Sequence, residues 1–183
     1  LKNKLALFTN VSKDAVFSAL DASSIYDIPI MFSKQKIDSF MMKKFRFKDR
    51  KLNLKPWKDY KNKVSKCKMK VKIAMIGKYV DLLDSYKSLN EALYHAGVIN
   101  YKAVEIIYLD SEKLTKRNIH QLKGMNGILV PGGFGDRGIE GKILAAEFAR
   151  VNNIPYLGIC LGMQISVIEF ARNVMNFDRA NST

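Results

Sequence analysis

The chain has 183 residues, of which 48% are hydrophobic and 10% aromatic, which is enough for a packed core and excludes a disordered chain. No run approaches the roughly 18 apolar residues of a membrane-spanning helix, and residues 1–4 do not have the form of a signal peptide. The two cysteines, Cys67 and Cys160, cannot form a disulfide framework, so we expect a reducing, cytoplasmic setting.

The positive charge is concentrated in one segment. The formal net charge is +14, a balance that ordinarily suggests a nucleic acid or a membrane surface as partner. Fourteen basic residues lie between Lys43 and Lys72, opposed there by Asp49 and Asp59, so this segment carries +12. A charge run in one connecting segment is typical of a solvated linker. We therefore expect no membrane partner and no specific nucleic acid, with a basic nucleic-acid-binding module as an alternative.

The first third of the chain has weak structural signals. The apolar run 5–8 predicts a short strand, and Pro29 favours an extended conformation over residues 25–29. Residues 33–47 have a weak helical spacing. In the basic segment that follows, Trp57 and Tyr60 are three residues apart, which predicts a short helix with Trp57 as a packing anchor.

From residue 71 onward, apolar strands alternate with amphipathic helices at short spacing. Asp84 or Ser85 is a candidate cap for the first of these helices, and Gly97 is predicted to end it. Such a pattern predicts an α/β fold with a doubly wound, mostly parallel sheet. The predicted strands cover residues 71–77, 103–109, 127–130 and a short run before Cys160. The last two predicted helices cover residues 140–152 and the residues after Cys160. Their apolar positions are Ile143, Leu144, Phe148, Val151, Ile165, Val167, Ile168, Phe170 and Ala171.

Cys160 lies between two small residues, Gly158 and Gly162, at a strand-to-helix junction. This spacing is typical of a nucleophile elbow, whose cramped turn directs the central side chain outward. The start of a helix also favours a thiolate over a thiol. The alternative, an ordinary buried cysteine, does not explain the two glycines.

A cysteine nucleophile that attacks a carbonyl needs two N–H donors for the oxyanion. The N–H of Leu161 is one donor, because it follows the nucleophile directly. The loop 131–135 can supply the other through Gly132 and Gly133, since both this loop and the elbow follow strands of one parallel sheet. A phosphate-binding loop is the alternative, but the P-loop spacing and the G-x-G-x-x-G spacing are both unmet.

The usual histidine base is not evident. His95 and His120 both precede the elbow, and neither has an obvious carboxylate partner in the sequence. We therefore expect the base to lie beyond Thr183, and expect the chain by itself to have little or no hydrolytic activity.

The motifs resemble those of the class I glutamine amidotransferases, and among them the CTP synthase family. The broader resemblance rests on residues 131–135 (PGGFG) and 158–164 (GICLGMQ). The narrower one rests on residues 77–80 (GKYV), 84–88 (DSYKS), 137–142 (RGIEGK) and 168–173 (IEFARN), and on residues 5–8, 24–26 and 28–29 near the start.

The resemblance implies a flavodoxin-like amidotransferase domain preceded by part of a P-loop-like synthetase domain. It implies the C-terminal end of that synthetase domain at residues 1–47, a basic linker at 48–70, and an amidotransferase domain at 71–183 that stops soon after the nucleophile. The implied reaction is the amination of UTP to CTP with ATP and Mg²⁺, using ammonia released from glutamine. The family further implies GTP as activator, a cytoplasmic homotetramer and no metal site in this part of the chain.

The resemblance also assigns roles to individual residues. Cys160 is the implied nucleophile and Gly133 the implied oxyanion and glutamine contact, with Leu161, Gly162, Met163 and Gln164 as the glutamine-binding run. Arg137 and Phe134 match a loop linked to GTP activation, and Lys87 matches a domain-interface lysine. Leu20, Asp21 and Ala22 align with an adenine-contacting stretch, where Ala22 and Ser23 depart from the family's usual residues.

One further enzymatic alternative remains from the sequence. Other cysteine-elbow hydrolases of similar architecture, such as peptidase-like or redox-protective relatives, have the same elbow spacing. Selective labelling of Cys160 by a glutamine-analogue electrophile would favour the amidotransferase.

Overall fold

The structure, a computed structural model, describes residues 1–48, 50–78, 83–133 and 135–182. The chain forms two compact units, Leu1–Lys66 and Cys67–Thr183. Within the described ranges, no helix combines the length and the apolar character needed to cross a membrane.

The described part of the first unit is helical. Its helices are α1 (Lys2–Phe8), α2 (Ile28–Lys34), α3 (Ile37–Lys44) and α4 (Lys55–Val64), with single 3₁₀ turns at Lys13–Ala15 and Ile25–Asp27. The strand predicted at residues 5–8 is therefore wrong, because a four-residue apolar run cannot by itself distinguish a strand from a helix. The extended conformation predicted at 25–29 is also wrong: Pro29 lies in the first turn of α2, where a backbone N–H is not needed.

Part of the basic segment packs against the rest of the first unit. The predicted short helix is confirmed as α4, and its Tyr60 and Trp57 rings lie 4.3 and 6.1 Å from the ring of Tyr26. The ammonium of Lys61 lies 2.6 Å from a carboxylate oxygen of Asp27. Aromatic packing and this ion pair together fix α4 against the turn that precedes α2.

In the described ranges, the second unit is built on four parallel strands, as the sequence predicted. The strands are β1 (Met69–Gly77), β2 (Lys102–Asp110), β3 (Gly127–Val130) and β4 (Tyr156–Gly158). Their order in the sheet is β2-β1-β3-β4, and these pairings are parallel. The helices are α5 (Lys87–Ile99), α6 (Ile139–Val151) and α7 (Leu161–Asn173), with 3₁₀ turns at Leu83–Tyr86 and Ile119–Leu122.

Buried side chains cover both faces of this sheet. On one face, Ile76 and Val130 of the strands pack in one cluster with Ala145 of α6. On the other face, Met75 and Leu129 pack against residues at the N-terminus of α5 and along that helix. Because alternate residues of β1 and β3 are buried on opposite sides, the doubly wound α/β arrangement is confirmed.

The boundaries of α5 differ from the prediction. Gly97 does not end the helix, which continues to Ile99. A Cβ on Gly97 would lie 2.6 Å from Cγ2 of Val104 and 2.8 Å from the carbonyl oxygen of Lys102, so the glycine allows α5 to approach β2 closely. The predicted cap at Asp84 or Ser85 falls in the 3₁₀ turn, and α5 begins at Lys87.

Helices α6 and α7 pack on one another through apolar residues and one ion pair. Ile143 of α6 lies in one cluster with Ile165 and Ile168 of α7. The Arg150 guanidinium donates hydrogen bonds of 2.7–3.1 Å to both carboxylate oxygens of Glu169, which is 2% exposed. Val151, which was predicted to face inward, is exposed, and so are Val167 and Phe170 of the apolar pattern on α7.

Candidate active site

Cys160 adopts a backbone conformation that few L-residues tolerate. It connects β4 to α7 with φ 53° and ψ −108°, and its side chain is exposed. Non-glycine residues in such sparsely populated regions cost about 1–3 kcal/mol and cluster at functional sites. The predicted outward-facing elbow is therefore present in the backbone.

The two glycines beside Cys160 are required by close backbone contacts. A Cβ on Gly162 would lie 2.0 Å from the carbonyl oxygen of Val130 on the neighbouring strand β3. A Cβ on Gly158 would lie 2.3 Å from the carbonyl carbon of Gly162. Any side chain at either position would thus force the strand and helix apart.

Hydrogen bonds brace the turn from both sides. The N–H of Ile159 donates to the carbonyl of Val130 at 3.0 Å, which ties the turn to β3. The hydroxyl of Tyr156 donates to the carbonyl of Gly162 at 2.8 Å. These bonds link β4, β3 and the first turn of α7 around Cys160.

Cys160 opens onto a cavity of about 300 Å³. Four predicted site residues line it: Gly133, Cys160, Leu161 and Gln164. The rest of the wall includes Asp136, Ile139, Ile168, Asn181 and Ser182. The hydroxyl of Ser182 donates a 3.2 Å hydrogen bond to the side-chain oxygen of Gln164. Its volume is at the lower end of the range for small-molecule pockets.

Two backbone N–H groups are available at the elbow. Among the backbone hydrogen bonds of the described residues, none uses the N–H of Leu161 or of Gly133. A Cβ on Gly132 would lie 3.5 Å from the Cβ of Cys160, so the glycine loop runs directly beside the nucleophile position. The arrangement suits an oxyanion held between the loop and the start of α7.

The other predicted site residues lie in different places. Gly162 is buried beneath the elbow, and Met163 is exposed on α7; neither lines the cavity. Lys87 begins α5 and pairs with Glu91 at 3.3 Å.

Arg137 is exposed in the loop before α6 and pairs with Glu112 at 3.7 Å. Leu20, Asp21 and Ala22 are exposed in the first unit, between two 3₁₀ turns. Phe134 lies outside the described residues.

Neither histidine lines the cavity. His95 is on α5, and His120 is exposed in the turn Ile119–Leu122, with Nδ1 3.2 Å from the carbonyl oxygen of Arg117. Within the described ranges the cavity therefore brings Cys160 together with Gly133 and Leu161 but contains no imidazole.

Sequence reasoning missed Lys142 and Asp136. Lys142 is a 1% exposed lysine of α6, and its ammonium lies 3.8 Å from the position that a Cβ on Gly133 would occupy. Burial, with a smaller contribution from Lys78, lowers the pKa of this ammonium. The sequence gives no signal that a lysine near the start of an amphipathic helix is buried. For Asp136, a signal was available, because this residue directly follows the glycine loop and could have been expected near the site.

The fold and the site together define a cysteine-elbow α/β domain of the glutamine amidotransferase type. Residues 81–182 match the model of the family "Glutamine amidotransferase class-I", and the chain belongs to this family. Residues 1–47 match a second family model, "CTP synthase N-terminus".

Similar proteins include CTP synthases from several bacteria. The chain is 51% identical to CTP synthase of Nitratidesulfovibrio vulgaris and 49% identical to that of Lawsonia intracellularis, in both cases over all of this chain. It spans 34% and 33% of those relatives, or about a third of their length. These matches do not favour the hydrolase or nucleic-acid-binding alternatives.

A solved structure resembles part of the chain. It is the Trypanosoma brucei CTPS glutaminase domain with bound acivicin, 46% identical, with a TM-score of 0.58. The match covers 61% of this chain and 44% of that chain.

Proposed function

We propose that the second unit binds glutamine and that, in the whole protein, ammonia is released there from the side-chain amide, with Cys160 as the nucleophile. The observation that carries this proposal is the strained Cys160 backbone at the mouth of a cavity that also contains Gly133, Leu161 and Gln164. Gln164 and the exposed Met163 belong to the predicted glutamine-binding run, while Gly162 permits the turn.

The residues of this chain account for part of the reaction. The Cys160 thiolate attacks the side-chain carbonyl carbon of glutamine, and a C–S bond forms while the carbonyl oxygen becomes an oxyanion. The N–H groups of Gly133 and Leu161 stabilise that oxyanion. The C–N bond then breaks, the amide nitrogen takes up a proton and leaves as ammonia, and water hydrolyses the glutamyl thioester to glutamate and the free thiol.

A glutamine-analogue electrophile tests this proposal. Acivicin should modify Cys160 in the 183-residue chain, as mass spectrometry of the digested protein would detect, and excess glutamine should protect it. Cys67 is the internal control and should remain unmodified. Labelling of both cysteines at equal rates, or no protection by glutamine, would contradict the proposal.

We further propose that the whole protein to which this chain corresponds makes CTP from UTP, ATP and glutamine. Two observations support this: the sequence identity to CTP synthases is 49–51% over the whole chain, and residues 1–47 match the CTP synthase N-terminal family model. In the full-length enzyme, Cys160→Ala should abolish CTP formation with glutamine and retain it with added ammonia. Loss of both activities in a folded variant would argue against separate glutaminase and synthetase sites.

The remaining assignments are proposals of the same kind. They comprise residues 1–47 as the end of the synthetase domain, 48–70 as a linker, Leu20–Ala22 as an adenine contact, Lys87 as an interface residue, and Arg137 with Phe134 as a GTP-responsive loop. A homotetramer in the cytoplasm belongs with them. The described residues contain no cluster of three or more His, Cys, Asp or Glu side chains that could hold a metal ion.

A further inference from the structure

Lys142 is a buried lysine whose ammonium has no anionic partner among the described residues. Its side chain is 1% exposed. Among the described residues, its ammonium takes part in no hydrogen bond and no ion pair. Burial of an unpaired charge is costly, and buried charges in proteins are ordinarily paired with a charge of opposite sign.

The ammonium of Lys142 borders the candidate oxyanion loop. A Cβ on Gly133 would lie 3.8 Å from Nζ of Lys142 and 3.9 Å from Cδ2 of Leu161. Gly133 and Leu161 are the two residues whose N–H groups face the proposed oxyanion. The ammonium of Lys142 therefore lies beside Gly133, whose N–H is proposed to hold the oxyanion.

The charged groups around Lys142 do not neutralise it. Lys78, at the end of β1, donates to the carbonyl of Gly135 at 3.1 Å, and its positive charge opposes that of Lys142. Two carboxylates of the packed helices are already paired, Glu140 with Arg172 and Glu169 with Arg150. Asp136 lines the cavity beside Cys160 rather than forming an ion pair with Lys142.

We propose that Lys142 is a positioning residue of this site, whose ammonium acts through the Gly133 peptide to stabilise the anionic sulfur of Cys160 and the oxyanion. This inference rests on the proposed role of Cys160. In a site of low dielectric, a unit charge several ångströms away stabilises an anion far more than it would in water. The attraction is mutual, so the anion also favours the charged form of Lys142.

Alkylation kinetics test the proposal in the 183-residue chain. Lys142→Met removes the charge and keeps most of the side-chain length. We expect alkylation of Cys160 by iodoacetamide near neutral pH to slow about ten-fold, because the thiolate loses its stabilising charge. Cys67 is the reference thiol in the same sample, and its rate should not change. Lys123→Met removes an exposed charge from the same unit and should leave both rates unchanged.

A second variant separates charge from packing. Lys142→Arg keeps the positive charge and should alkylate at Cys160 within about two-fold of the unmodified chain, in contrast to Lys142→Met. Equal slowing in both variants would show that side-chain volume matters and would overturn the proposal, as would unchanged rates in both.

A measurement without substitution covers the case in which a variant fails to fold. Carbamidomethylation of Cys160 removes the anion, so NMR of the Lys142 side chain should show its ammonium losing a proton at lower pH than before. An unchanged Lys142 titration would overturn the inference. Failure of acivicin to modify Cys160 would instead refute the proposed glutaminase function, so the two failures can be told apart.

Discussion

The hydroxyl of Tyr156 donates a 2.8 Å hydrogen bond to the carbonyl of Gly162, which joins the last strand before Cys160 to the first turn after it. Burial raises the pKa of Tyr156, so the hydroxyl keeps its proton and remains a donor at any ordinary pH. Tyr156→Phe should lower the free energy of unfolding by about 1 kcal/mol, because the buried carbonyl loses a partner. It should also slow acivicin labelling, since the turn is less well fixed. Tyr101→Phe, at an exposed position, is the control and should change neither quantity.

Gly162 tests whether the elbow depends on close backbone contact. With Val130 O 2.0 Å from the added Cβ, Gly162→Ala should destabilise the second unit by more than about 3 kcal/mol, as judged by urea unfolding. Gly133→Ala is the matched control, because its Cβ would find its nearest neighbours at 3.8 Å, an ordinary contact distance. Similar stability of the two variants would contradict the steric explanation.

Cys160 itself stores backbone strain that glycine should release. At φ 53° and ψ −108°, a residue that carries a Cβ is unfavourable, whereas glycine tolerates this conformation. Cys160→Gly should therefore be more stable to thermal unfolding than Cys160→Ala by about 1 kcal/mol, while both variants lose acivicin labelling. The reverse order of stability would indicate that the backbone relaxes at this position.

The Arg150–Glu169 pair should be essential for joining α6 to α7. Arg150→Met leaves the carboxylate of Glu169 buried without its strongest partner, and we expect a loss of about 3 kcal/mol in unfolding free energy. Replacing both residues with Met should restore part of that loss, since no charge is then buried. A single variant as stable as the unmodified chain would contradict this role.

The same pair predicts a pH dependence of stability. Burial raises the pKa of Glu169, but hydrogen bonds from Arg150 and Asn173 lower it more, so the folded pKa lies below the ordinary 4.5. The stabilisation is thus present above pH 4.5 and is lost as the pH falls through the lower folded pKa. The stability difference between the unmodified chain and Glu169→Gln should shrink below that pH in urea titrations.

The second unit was predictable because its local signals agree with its tertiary structure. Continuous apolar strands, glycine at the turns and a regular alternation with helices all predict one parallel sheet, and the Gly158–Cys160–Gly162 spacing predicts the bend. The first unit offered short, mixed signals, and residues 5–8 and 25–29 were assigned to the wrong conformation for that reason.

Other errors came from effects that no single sequence reveals. Gly97 resembles a helix end but serves close packing of α5 on β2. Val167 and Phe170 are exposed at 60% and 48%, although they fit an apolar helical face. Burial of Lys142 and Glu169 depends on the crossing of α6 with its neighbours, which the amino-acid pattern of one helix does not encode.

Since every strand pairing in the second unit is parallel, none can form between adjacent chain segments. Met69 meets Lys102, Ile73 meets Gly127 and Ile128 meets Tyr156, each across an intervening crossover. Such long-range topologies assemble slowly. We therefore expect the thiol of Cys160 to acquire its elbow environment late in folding, once β4 has paired with β3.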